Sequence, residues 1–188
     1  LPPGGDLPAC RLLETRTDGG APLLLLDCPI FFRRAGSAYL DAGGNDFVDN
    51  HLRFGLLSKI AALLSSTASP LHWRPDVLHC NDWPCGLAPA YLHFMKGIKA
   101  ATVMSIHNMA FQGIFPAETL SALGLPPEAF SIDGVEFWGK LSFMKAGLHY
   151  AERITTVSPR YAEEIQTEAF GYGFAGLLRW RHDDLAGI

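Results

Sequence analysis

Two short stretches hold the side chains with the greatest chemical reach. The first, His79-Cys80-Asn81-Asp82-Trp83-Pro84-Cys85-Gly86, sets a carboxylate beside an indole. Such a pair could grip a sugar, Asp82 accepting hydroxyl protons while the Trp83 ring covers the apolar face of a pyranose. The plainer alternative is that Asp82 caps the following helix, as Asp does at such positions, and that Trp83 fills core. The second stretch, Ser105-Ile106-His107-Asn108-Met109-Ala110-Phe111-Gln112-Gly113, brings an imidazole, two amides and a glycine into one loop. His107 with Asn108 and Gln112 could hold hydroxyls or stabilise charge developing at a sugar carbon. A loop histidine bonded to backbone is the alternative.

Other patterns carry less. Gly171-Tyr172-Gly173-Phe174-Ala175-Gly176 spells G-x-G-x-x-G, but it follows an expected helix. A dinucleotide loop must instead follow a strand, so that its amides face a pyrophosphate. No G-x-S-x-G elbow, H-E-x-x-H zinc motif or phosphate loop is present. Cys80 and Cys85 form C-x4-C without a second pair for zinc, so Cys10, Cys28, Cys80 and Cys85 read as reduced, mostly buried thiols, which favours the cytoplasm. His51, His72, His93, His149 and His182 stand apart and read as surface or satisfied core, and Asp183-Asp184 as part of a solvated tail.

The elements that must position the two stretches follow from periodicity. Residues 1–20, rich in Gly, Pro and Asp, read as a turn-rich lead-in with a turn at Asp18-Gly19-Gly20. The apolar run 22–27 suits a strand covered on both faces, and residues 30–45 a long loop of the functional kind. Between 46 and 65, Phe47, Val48, Leu52, Leu56, Ile60, Leu63 and Leu64 recur at three- and four-residue steps, which predicts a helix with Asp46 at its start. Strands are expected at 77–80, 101–106 and 153–157, and helices at 86–95, 140–152 and from Ser158-Pro159 to 167. Residues 114–137 are broken by Pro116, Gly124, Pro126, Pro127 and Gly134 into turns and short helical pieces. Alternation of this kind specifies an α/β fold with an open, mostly parallel sheet. Ligands collect at the carboxyl ends of such strands, where both polar stretches emerge.

Bulk composition sets bounds. A chain of 188 residues fits one domain. With 48% hydrophobic residues and a formal net charge of −4, it lacks the basic surplus that nonspecific nucleic-acid binding needs. No apolar stretch reaches the roughly 20 residues of a membrane helix. The start at Leu-Pro-Pro-Gly-Gly has neither Met nor the regions of a signal peptide, and reads as a piece of something longer.

At these residues the sequence resembles the bacterial glycogen synthase and plant starch synthase family. Asp76 through Trp83, Ser105-Ile106-His107-Asn108 through Gln112-Gly113, the segment 140–150 and Thr155-Thr156-Val157-Ser158-Pro159 match that family's blocks in order. The loop 32–39 and Asp49-Asn50-His51-Leu52-Arg53-Phe54 match as well, making the resemblance nearly continuous from residue 24 to 188. Three positions depart from the pattern: Pro84 stands where members often carry His or another polar residue, and Arg33 and Ala35 where Asp and Pro are more usual.

The resemblance implies a GT-B fold, two Rossmann-like domains facing a cleft, of which this chain is the incomplete N-terminal, acceptor-side half. It implies transfer of glucose from ADP-glucose to the 4-hydroxyl of an α-1,4-glucan with retention, without metal or organic cofactor. His107 is then expected beside the transferred glucose, Asp82 on sugar hydroxyls near the reaction centre, and Asn108, Gln112, Trp83 and Tyr39 along the cleft. The K-x-G-G-L loop of the family is expected before Leu1, and the second domain, with its Arg, Lys and Glu, after Ile188. Each missing charge-stabilising donor costs roughly 10²- to 10³-fold in rate, so two would cost on the order of 10⁴ to 10⁶ and the chain alone is expected to be inactive. Two alternatives stand beside this: a noncatalytic glucan-binding module, and a related transferase with another donor or acceptor.

Overall fold

The structure, a computed structural model, describes residues 5–188. Near its start Arg11–Arg16 (β1) and Pro22–Asp27 (β2) pair antiparallel across the turn at residues 17–20. The expected lead-in therefore holds a strand, and residues 1–4 of it lie outside the described ones. Arg11-Leu12-Leu13-Glu14 is too weakly patterned to announce a strand alone; its partner specifies it. Nor is β2 covered on both faces. Leu12 and Leu26 turn toward a small cluster of Leu7, Cys28, Phe31, Leu56 and Ile60, while Leu13, Leu23 and Leu25 stay exposed.

The expected loop opens with one helical turn, Pro29–Phe32 (α1), before its irregular part. The long helix, Asn50–Leu64 (α2), starts four residues later than the apolar spacing suggests. Asp46 does not cap it, because its backbone is paired across the loop with Leu40. Asp49 takes the cap position, but its carboxylate is given to Arg34 instead of the helix amides.

Val77–Asn81 (β3), Leu87–Phe94 (α3) and Ala101–Ile106 (β4) form a strand, helix, strand unit close to the expected bounds. An insertion follows. Ile114–Pro116 (β5), Thr119–Ala122 (α4), Glu136–Phe137 (β6) and Lys140–Ser142 (β7) contain a three-stranded antiparallel sheet, ordered β5-β7-β6, where only turns and helical pieces were expected. Strands of two or three residues carry no readable period, so only their pairing reveals them. The next helix, Phe143–Tyr150 (α5), begins where Ser142 accepts from the Lys145 amide, after its predicted first turn has gone into β7.

Arg153–Thr156 (β8) leads into Pro159–Glu164 (α6), started as expected by Ser158, whose hydroxyl accepts from the Tyr161 amide. Ala175–Trp180 (α7) and Leu185–Gly187 (β9) complete the chain. The expectation of a solvated tail holds for Asp183, which is exposed, and fails for Asp184, which is ion-paired with Arg181 and Arg153. Arg181, itself buried, donates to the carbonyls of Leu148 and Ala151 at 2.8 and 2.7 Å, which ties this segment to the end of α5. The sequence shows charges in this segment, whereas the carbonyls that receive them lie about thirty residues away in the chain.

The main sheet runs β3-β4-β8-β9, every pair parallel. Cys80, Met104, Ile106 and Ile154 face Ala88 of α3, Met144 and Leu148 of α5 and Leu178 of α7 in one buried cluster. A second cluster, with Phe54, Leu87, Tyr91, Phe143, Leu123 and Leu141, joins α2, α3 and α5 to the insertion. On the other face of the sheet the His79 ring bonds the Ser105 hydroxyl, which bonds Thr155 in turn. Among the described residues β3 pairs only with β4 and is an edge.

Candidate functional site

Parallel register places Asn81 opposite Ser105, so the two polar stretches leave adjacent strands side by side. The Asp82 amide donates to the Ser105 carbonyl at 2.9 Å, and the His107 amide donates back to Asp82 Oδ1 at 2.8 Å. Asp82 thus closes the gap between the strand ends and does not cap a helix; its side chain makes no cap bond. Its backbone sits at φ 56°, ψ −179°, a region that is almost glycine's alone and costs a side-chain-bearing residue on the order of 1–3 kcal/mol. The two exchanged bonds hold it there.

His107 Nε2 lies 2.9 Å from Asn81 Oδ1. A carbonyl oxygen only accepts, so Nε2 carries the proton and Nδ1 is left free. The histidine is therefore bonded to a neighbouring side chain and not to backbone, and it is exposed at the strand ends.

Beyond Asp82 opens a cavity of about 800 Å³, lined by Asp82, Trp83, Tyr39, Asn108, Gln112 and Phe111 among others. Five of the six residues singled out from the sequence line it. His107 does not; it stands beside the cavity, joined through the bond to Asp82. The Trp83 ring meets Phe54 edge-on at 4.8 Å and lies 5.9 Å from Tyr39 and 6.0 Å from Phe115. It is packed into the second core cluster on one side and faces the cavity on the other, so the ring fills core as the plainer reading has it and still leaves a face toward the cavity. Gly113, at φ 56°, lets the loop lie on this indole: a Cβ there would stand 2.3 Å from the ring.

Asn108 Oδ1 accepts from the Ala110 amide, and Gln112 Nε2 donates to the Tyr172 carbonyl at 2.9 Å. These bonds fix the loop and leave one amide group of each side chain, the NH₂ of Asn108 and the oxygen of Gln112, for a ligand. The second bond also brings Gly171-Tyr172-Gly173 to the site's border, a place its G-x-G-x-x-G spelling did not foretell; no strand precedes it, as expected for a segment that is no dinucleotide loop.

The opposite wall comes from the loop before α2 and was only partly read. Arg53, buried, donates to the carbonyls of Phe31 and Ala38 and to Asn50 Oδ1, and its guanidinium lies 4.4 Å from the centre of the Phe47 ring. Asn50 Nδ2 donates to the Tyr39 carbonyl at 3.0 Å. Arg34 grips both Asp49 oxygens at 2.8 and 2.7 Å. Burial acts to raise the Asp49 carboxyl, but the Arg34 bonds and charge outweigh it and hold the group below its ordinary value. Sequence reasoning matched Asn50 and Arg53 only as family letters; a buried arginine on an apolar helix face was the available signal. Of the departures, Pro84 is buried and its carbonyl accepts from Ser58, while Arg33 is exposed.

Burial pushes the thiols of Cys10, Cys80 and Cys85 up, and all four cysteines are free. Among the described residues no three His, Cys, Asp or Glu gather to hold a metal ion, and no helix is long and apolar enough to cross a membrane.

A family model for the starch synthase catalytic domain matches residues 4–180. The chain belongs to that family. Glycogen synthase of Nitrosospira multiformis is 56% identical over 187 residues, covering 97% of this chain and 38% of that protein. Glycogen synthase of Aromatoleum aromaticum is 58% identical over 182 residues, covering 97% and 37%. The chain thus spans less than two fifths of the relatives it matches. The catalytic domain of starch synthase IV from Arabidopsis thaliana, bound to ADP and acarbose, superposes with a TM-score of 0.80 at 24% identity, over 95% of this chain and 36% of that one. That likeness establishes the fold: a partial Rossmann-like N-terminal domain of the GT-B glycosyltransferase type, as the resemblance implied.

Proposed function

We propose that this chain is the acceptor-binding side of an ADP-glucose-dependent glucan synthase, which transfers glucose to the non-reducing end of an α-1,4-glucan with retention. The observation that carries the reading is Asp82, held in a left-handed backbone at the mouth of an aromatic-floored cavity with its carboxylate fixed by the His107 amide. A carboxylate so fixed presents its second oxygen to sugar hydroxyls at little further ordering cost, and Trp83 and Tyr39 offer ring faces to the pyranose. The free Nδ1 of His107 stands next to the transferred glucose, and the unused amide groups of Asn108 and Gln112 take further hydroxyls. The names of the relatives, glycogen synthases, and the ADP and acarbose bound to starch synthase IV support this choice of donor and acceptor.

The nucleotide-sugar domain belongs, in this reading, to a part of the protein outside the chain, so the 188 residues alone turn over negligibly. Reduced thiols accord with a cytoplasmic site of action. The test is glucose transfer from labelled ADP-glucose to glycogen by the full-length enzyme, compared with its His107→Ala and Asp82→Asn variants. Each variant is expected to lose roughly 10²- to 10³-fold in kcat. Normal turnover by His107→Ala would remove that residue from the mechanism, and normal turnover by both would end the reading.

A further inference from the structure

Three non-glycine residues among those described have positive φ: Asp82, Trp138 and Tyr172. The first is accounted for above. The other two are aromatic, and both rings are exposed, Trp138 by 81% and Tyr172 by 55%. Phe137 pairs with Lys140, so Trp138-Gly139 is a two-residue hairpin turn with φ of 52° and 76°. Turns of this type take Asn-Gly or Gly-Gly, because both positions need left-handed backbone. A tryptophan there costs local strain, and its ring recovers little by burial. Strain of this kind, kept where packing among the described residues does not need it, points to function.

The two turns are locked together. Phe137, just before Trp138, stacks on the buried Phe174, just after Gly173, with ring centres 4.2 Å apart. Gly173, at φ 90°, lies against the indole: a Cβ there would stand 3.4 Å from Trp138 Nε1 and 2.8 Å from the Phe137 ring. Gln112 then joins this unit to the cavity, lining it while donating to the Tyr172 carbonyl.

We propose that Trp138 and Tyr172 form an aromatic subsite outside the cavity, continuous with it through Gln112, that stacks on glucose units further along the bound α-1,4-glucan. This rests on the reading of the cavity as the acceptor site. Ring faces displayed on rigid turns offer stacking area with little side-chain entropy to lose, and a sugar polymer anchored in the cavity presents its next units to them.

Glycine is the residue these backbones favour, so Trp138→Gly and Tyr172→Gly delete the rings while relaxing the turns. Both variants should fold with a thermal midpoint equal to or above that of the parent. Calorimetry on the 188-residue chain with maltotriose and maltoheptaose makes the test, with Trp83→Ala as the cavity control. The subsite requires maltoheptaose affinity to fall roughly tenfold in each glycine variant, with a much smaller change for maltotriose. Equal losses for both sugars, or none for either, overturn it. Should Trp83→Ala abolish maltoheptaose binding while Trp138→Gly does not alter it, the subsite falls and the acceptor cavity stands. If neither sugar binds the parent chain, both fall.

Discussion

The wall of the cavity that carries Asp82, Trp83 and Asn108 grows out of parallel strands, whereas the wall that carries Tyr39, Leu40 and Phe47 grows out of a loop with no ladder behind it. The first is held by backbone bonds between β3, β4 and the residues just past them. The second has only isolated backbone bridges of its own, and side chains reaching across long sequence gaps, chiefly Arg53 and Arg34, fasten it to the rest of the molecule. One wall is therefore braced by a continuous ladder, and the other by isolated bridges within the loop and by the side-chain bonds that fasten it to the helix. In such a pair the sheet-borne wall keeps its side chains at fixed positions, and the loop-borne wall has more room to adjust.

The comparison is broken most directly at Gly113. An alanine there takes on a left-handed backbone and a Cβ 2.3 Å from the Trp83 ring, so the sheet-borne wall must shift as a whole. Gly113→Ala is expected to destabilise by about 3 kcal/mol in chemical denaturation. Arg53→Met should cost less, about 2 kcal/mol, because the methionine keeps the volume while the Phe31 and Ala38 carbonyls lose their donor. Its signature is local: new proteolytic cleavage within residues 33–46, with the strand ends still protected. Cleavage spread evenly over the chain would contradict the division into two walls.

The smallest effect is one of pH. Asp49 titrates lower in the folded chain than its ordinary value, so the unfolded state binds the extra proton in the window between the two. Its contribution is full above about pH 4, near the unfolded carboxyl value, and is lost as pH falls through the folded one. Proteolysis of the loop should rise over that interval, and Asp49→Asn should flatten the rise. Protection of the strand ends that tracked the same interval would mean the walls are coupled.

The same contrast explains what could be read beforehand. The helix of Leu87–Phe94 and the strand of Ala101–Ile106 were legible because apolar spacing and glycine or proline breaks specify them locally. Asp82 and His107 were legible as a pair because strand ends in a parallel sheet bring their loops together. That Asp82 lines the cavity and His107 stands just outside it was not legible, since one ring torsion and the Asn81 amide decide it. The strand of Arg11–Arg16 and the last strand, Leu185–Gly187, escaped for another reason: weakly patterned segments take their conformation from the strand they pair with, just along the chain for the first and about thirty residues back for the second. Arg53 stood in plain view on an apolar helix face, but its three acceptors are carbonyl and amide oxygens that no side-chain pattern reports.

Strand Val77–Asn81 closes one side of the main sheet with a row of amides and carbonyls that has no partner among the described residues. No lysine, proline or inward-pointing charge interrupts it, although proteins commonly blunt such margins in that way. Such an unblunted row is what a further strand takes up, so the strand that delivers Asp82 also offers the main sheet a place to be extended.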